Sequence, residues 1–413
     1  MSDPADPGTT AVRPSLKELL TPTGLRSPTD TYAAWRRWEA EHGTHPQLVL
    51  SHAAVSEVYA DRHMSAARIG NVIRSAPDEV QATLGPLEAI LSSIIAFQDP
   101  PDHTRIRSTM SKAFTPRVIR HQEAAVERIA ARLVGDMAES GDPDVVRAVS
   151  DPMPAQVIGA MLGLPDGELP RFATWAQRLV FFVGSSAPSA SQASEIAEAL
   201  GEMHELLTDL AARRRAEPTD DLFSSMLAVA DAEDGAGITD DELFANTLFL
   251  MTAGHETATN AITNGLLALL RHPDQRARLG AEPELIDGAV EEMLRFDSPI
   301  QISARLCDRD RDIAGRSRRA GDPVVLVIGA ANHDPAVFDA PERFDIGRDE
   351  GRHLSFGHGR HHCLGAALAR SEMRVVIPML LRAFPSLGLV DEAALEWQPT
   401  LNFRGVRELE VAW

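Results

Sequence analysis

Between residues 239 and 272 the sequence specifies one long helix, and that helix limits what the rest of the chain can be. Thr239 and Glu242 form a capping-box pair, and Ile238 with Leu243 fits a hydrophobic staple. Asp240 and Asp241 sit where the positive end of the helix dipole favours acid. Pro273 supplies the stop. A helix of this length spans roughly 50 Å at 1.5 Å per residue. Its first half carries Phe244, Leu248, Phe249, Leu250 and Met251, apolar on nearly every face, so it must run through a core built by other elements. A chain of 413 residues is long enough to build that core.

The remaining pattern agrees. From about 115 to 300, helical periodicity is broken only by Gly-Asp-Pro, Pro-Asp-Gly and Glu-Asp-Gly turns. Short β signals stand at 47–50, 324–328 and 408–411. The fold class expected is mainly α with small β-sheets. The Pro, Gly and Asp of residues 1–14 predict a loose tail, leaving 15–413 as a single domain.

A net charge of -20 argues against a general nucleic-acid or anionic-membrane surface. No apolar stretch approaches bilayer length, and the polar, acidic start is unlike a signal peptide. Two cysteines, Cys307 and Cys363, give no disulfide framework. A cytoplasmic protein without a membrane partner is expected.

Chemistry concentrates at Phe356-Gly357-His358-Gly359-Arg360-His361-His362-Cys363-Leu364-Gly365. Gly357 and Gly359 allow positive φ and close approach to a flat ligand. The helix start that follows points unpaired amides back at the sulfur, which favours thiolate, a soft single-point metal ligand. The bare residues leave two other readings open: an inert buried cysteine, and a zinc site drawn from His353, His358, His361, His362 and Cys363.

The stretch resembles the cysteine-ligand loop of the cytochrome P450 family, Phe-Gly-x-Gly-x-His/Arg-x-Cys-x-Gly, matched at Phe356, Gly357, Gly359, His361, Cys363 and Gly365. The resemblance implies Cys363 as the proximal ligand of haem iron. It extends in family order over roughly residues 30–413. Ala253-Gly254-His255-Glu256-Thr257 is similar to the oxygen-activation pattern, which implies Thr257 as the hydroxyl at the oxygen site and Glu256 as the carboxylate that feeds protons through water. A second hydroxyl often follows the Thr in that family; here it is Ala258. Read as residues alone, Gly254 costs about 1 kcal/mol of helix propensity and opens room beside Ala253, while a helix flaw with a solvated Glu stays open.

Glu292 and Arg295 share a helix face at i, i+3. They resemble the family's Glu-x-x-Arg, which implies Arg343 as the third member of a structural set. His103 and Arg107 share a face at i, i+4, and the resemblance implies them, with Arg305 and His361, as ligands of haem propionates. Arg105, Arg117 and Arg360 are alternatives for a surface that receives an acidic electron donor. Pocket walls are expected from 69–97, 172–183, Phe249, Ala253, Thr257, 300–302 and near Phe403, with neither Tyr32 nor Tyr59 among them.

What the resemblance implies is a haem b monooxygenase with a triangular helical prism fold. It would insert one oxygen atom from O2 into a hydrophobic small molecule, in natural-product tailoring by hydroxylation or epoxidation, as a monomer. Electrons would come from a separate ferredoxin and its ferredoxin reductase. A peroxide-driven haem-thiolate enzyme and a non-catalytic haem-binding protein are the alternatives.

Overall fold

The computed structural model describes residues 13–114, 116–184, 188–232 and 237–413. The tail expected over 1–14 lies outside these except for Arg13 and Pro14. Pro14 is buried, with its carbonyl 3.1 Å from the His45 ring nitrogen.

Six helices position the site: α1 (Asp102–Ala113), α2 (Pro152–Met161), α3 (Leu169–Gly184), α4 (Asp240–Arg271), α5 (Ile286–Phe296) and α6 (Ala366–Ala383). Helix α4 is the expected long element. Thr239 Oγ1 accepts the Glu242 amide at 3.2 Å and Glu242 Oε2 accepts the Thr239 amide at 2.9 Å, which closes the capping box. Its second half is more deeply buried than its polarity suggests: every residue from Ala258 to Leu269 is enclosed, including Thr259, Asn260, Thr263 and Asn264. Some of their polar atoms are paired: Thr263 Oγ1 donates to the Thr259 carbonyl at 2.8 Å, and Asn264 Nδ2 to the distant Arg404 carbonyl at 2.9 Å, while Thr259 Oγ1 and Asn264 Oδ1 have no partner. Helices α2, α3, α5 and α6 all pack against α4 in one apolar core.

The β structure is small. Strands β1 (Leu48–Val49), β2 (Met64–Ser65), β3 (Ile302–Cys307) and β6 (Pro323–Val327) form a sheet in the order β1-β6-β3-β2. β1 runs parallel to β6, and the other pairs are antiparallel. Arg305 lies opposite Val324 in this register. A hairpin of β4 (Arg311–Ile313) and β5 (Arg316–Arg318) and a pair of β7 (Gly388–Leu389) with β8 (Val411–Ala412) complete it. The β signals expected at 47–50 and 324–328 are strands β1, shortened, and β6, while the one at 408–411 meets β8 only at Val411.

Candidate active site

The cysteine loop has the backbone its glycines imply. Gly357 and Gly359 adopt φ of 67° and 71°. A Cβ on Gly359 would stand 2.7 Å from the Tyr59 carbonyl oxygen, so that position is closed to any side chain. The Cys363 amide donates to the Phe356 carbonyl at 2.9 Å, folding the loop back on itself ahead of α6. The thiol faces an internal cavity of about 400 Å³, a size usual for small-molecule sites. Burial pushes the thiol up from its ordinary value, against the pull of the Gly365 and Ala366 amides and of Arg107 and Arg370. The Gly365 and Ala366 amides and the two arginines all favour the thiolate, the form that a bound cation would complete.

The same cavity is lined by Ala253, Gly254 and Thr257 of α4. Thr257 Oγ1 donates to the Ala253 carbonyl at 2.6 Å, and the helix runs through this point without a break. Glu256 is half-buried, and its Oε1 accepts from Asn260 Nδ2 at 3.2 Å. His255 turns to Asp151, with Nε2 3.1 Å from a carboxylate oxygen. Gly254 lines the cavity and has a packing role as well. A Cβ there would meet Ile158 Cδ1 at 2.3 Å, so the missing side chain lets α2 press against α4. Gly365 has the opposite setting: it lines the cavity, and a Cβ on it would touch nothing.

Arginines and imidazoles crowd one part of the wall. His103, Arg107, Arg305 and His361 all line the cavity, with the two imidazoles 4.2 Å apart. Both imidazole Nε2 atoms are buried without a partner. Burial, then neighbouring arginines, push His103 down to about 4 and His361 to about 3. Burial also lowers Arg107 and Arg305. Such a set is costly unless an anion completes it. A planar group bearing two carboxylates and a metal that takes one thiolate fits these orphaned donors and the sulfur together. Arg68, above the Phe97 ring at 4.9 Å, and Tyr59, beneath Arg305 at 5.2 Å, also line the wall. Tyr59 in the wall corrects the expectation that no tyrosine reaches it.

Glu292 and Arg295 are both 2% exposed and joined twice, at 2.7 and 2.9 Å. The three other guanidinium N–H groups of Arg295 reach the carbonyls of Asn332, Pro341 and Arg343. Arg343 is not the third member by its side chain, which is 66% exposed and meets Asp345. The turn at 339–348 points its carbonyl inward and its guanidinium out. Arg348, with Nε 3.2 Å from Glu292 Oε2, takes the place expected for it. Arg105 is tied to Glu242 and Asp102, and Arg360 to the Asp61 carbonyl, while the Arg117 side chain lies outside the described residues.

Much of the remaining cavity wall is apolar, with Ile95, Phe97, Phe249, Ile300, Ile302 and Phe403 as expected, beside Thr252, Ser303, Ser355 and Glu372. Residues 69–94 do not reach it, and the described Phe172, Trp175 and Leu179 of α3 sit in the core. Ile158 and Met161 of α2, with Leu162 just after it, stand in the wall instead. Among the described residues no cluster of three or more His, Cys, Asp or Glu could hold a metal, so the zinc reading has no site. Cys307 is a buried thiol beside Met64.

A cytochrome P450 family model matches residues 32–387. This chain belongs to the cytochrome P450 family. It is 38% identical over 368 residues to vitamin D(3) 25-hydroxylase of Pseudonocardia autotrophica, covering 88% of this chain and 87% of that one. It is 36% identical to the P450 monooxygenase PikC of Streptomyces venezuelae, covering 98% and 96%. The crystal structure of CalO2 superposes with a TM-score of 0.85 at 32% identity, over 96% of this chain and 98% of that one. The chain is a P450 monooxygenase, an oxidoreductase of a haem-iron family, with the P450 fold. No described helix is long and apolar enough to cross a membrane.

Proposed function

We propose that this P450 inserts one atom of O2 into a hydrophobic small molecule by hydroxylation or epoxidation, in natural-product tailoring. The observation that carries the reading is one cavity lined by the Cys363 thiol, Arg107 and Arg305 beside two imidazoles with unpartnered Nε2 atoms, the Thr257 helix segment and apolar side chains. Relatives named mycinamicin IV hydroxylase/epoxidase and PikC support the tailoring role. Haem b is the cofactor proposed. Cys363 would hold its iron, His103, Arg107, Arg305 and His361 its propionates, and Phe356, Gly357, Gly365, Ala253 and Gly254 its faces. Bound there, haem iron supplies O2 binding and the oxidising chemistry, with electrons from a separate ferredoxin and its reductase.

The chain supplies the rest. The apolar wall strips water from the substrate and presents it at the cavity centre. Thr257 Oγ1, now bonded to its own helix, can turn its hydroxyl into the cavity and hold a proton there. Glu256, held by Asn260, replenishes that proton from the half-exposed side of α4. The Glu256–Thr257 pair favours O2-driven chemistry over the peroxide route, which needs no such relay. The protein is proposed to act as a cytoplasmic monomer. Turnover of a bound apolar substrate under isotopically labelled O2 tests the reaction: one labelled atom in the product supports it, and an oxygenated product without label contradicts it.

A further inference from the structure

Arg370 has a setting of its own behind the cysteine loop. It lies on α6, seven residues beyond Cys363, and does not face the cavity. Its guanidinium stacks over the Phe356 ring at 4.4 Å. Glu291 of α5 grips it twice, with Oε2 accepting from Nη2 at 2.8 Å and Oε1 from Nε at 2.5 Å. The same Oε2 lies 3.1 Å from His353 Nε2. His353 Nδ1 accepts the Ser355 amide at 3.2 Å, so the imidazole carries its proton on Nε2 and donates it to Glu291. Burial alone would raise Glu291, but Arg370 and His353 hold it down to about 2. Phe356 in turn receives the Cys363 amide on its carbonyl. A carboxylate, a cation and a ring are thus bound in series to the segment that carries the sulfur.

We propose that Arg370, held by Glu291 and His353, is a positioning residue whose charge sets the reduction potential of the metal bound at Cys363. The inference rests on the haem-thiolate reading of the site. Two cations flank the cysteine loop: Arg107 on the cavity side, and Arg370 behind it, over Phe356 and with Nη1 3.4 Å from the Ala366 carbonyl. Arg107 faces the cavity and the anionic edge of its ligand, so its charge is matched there. Arg370 is matched only by Glu291, whose side chain is 42% exposed. The Glu291–Arg370 balance therefore governs the field at the sulfur. An electron added at the metal is favoured by net positive charge nearby and opposed by net negative charge.

This makes the two partners act with opposite sign. Redox titration of the haem-loaded protein should show Glu291→Gln raising the midpoint potential and Arg370→Gln lowering it. Each should change the reduced-to-oxidised ratio at fixed potential by about threefold or more, about 28 mV at 59 mV per decade. Arg370→Lys, which keeps the charge, should stay nearer wild type than Arg370→Gln. A purely structural clamp gives shifts of the same sign, or none, and that result overturns the proposal. If Arg370→Gln fails to hold haem, the sign of the Glu291→Gln shift decides alone: a rise supports the proposal, and a fall or no change rejects it. Failure of the underlying reading looks different, because wild type itself would then bind no haem, and the proposal would go with it.

Discussion

At the scale of single residues, Thr257 and Glu372 show how burial assigns chemistry. Thr257 touches the cavity but contributes nothing to helix geometry that Ala could not, since its hydroxyl bonds a carbonyl already engaged in the helix. Thr257→Ala should therefore keep the fold and the cofactor while losing proton delivery. The expected result is undiminished electron consumption with most of it diverted to peroxide, read as product and peroxide formed per electron. Full coupling in the variant would exclude the relay. Glu372 of α6 is 1% exposed, lines the cavity and has one carboxylate oxygen without a partner. Burial raises it to about 8. A raised folded-state value means the native protein keeps a proton that the unfolded chain has released. Its contribution is fully present below about pH 4.5 and lost as pH rises toward 8. Denaturant unfolding of the cofactor-free protein should show stability falling across that window, and Glu372→Gln should flatten the slope. An unchanged slope in Glu372→Gln would show that another group carries it.

At the scale of elements, the clearest test compares three side chains around α5. Removing Glu292 leaves the buried Arg295 without its carboxylate, at a cost of about 3–5 kcal/mol. Arg348→Ala removes a guanidinium that also caps the 339–343 carbonyls, at about 1–3 kcal/mol. Arg343→Ala should stay within about 0.5 kcal/mol, because an exposed side chain is lost and the carbonyl that matters stays. Unfolding midpoints in urea order these three directly; a large effect at Arg343 and none at Arg348 would reverse the assignment. The same segment shows what the sequence hides. A Glu at i and an Arg at i+3 are legible from spacing. Which downstream arginine joins them depends on the turns between 339 and 348, and nothing in the residue pattern ranks 343 above 348. Helix α4 was legible for the opposite reason: its capping box, dipole charges and terminal Pro are all local. The role of Gly254 was not, because Ile158 reaches it from another helix.

At the scale of the whole molecule, the fold makes one place from four distant stretches. The sheet delivers Arg305, α1 delivers His103 and Arg107, α4 delivers Thr257, and the loop before α6 delivers Cys363. The motifs were readable in order along the chain, while their convergence, and the share of Arg68, Tyr59 and α2 in the wall, depended on packing between elements far apart in sequence. The charge balance follows: a chain of net charge -20 gathers Arg107 and Arg305 in one wall beside two imidazoles with unpartnered Nε2 atoms, a setting that suits an anionic ligand. Everything proposed for this cavity depends on sulfur bonded to haem iron. The reduced carbonyl spectrum of the purified, haem-loaded protein tests that bond directly. The account predicts the red-shifted Soret band of a thiolate-ligated haem, moved to the histidine-ligated position in Cys363→His. A wild-type spectrum already at the histidine position, or the same spectrum in both proteins, would contradict it.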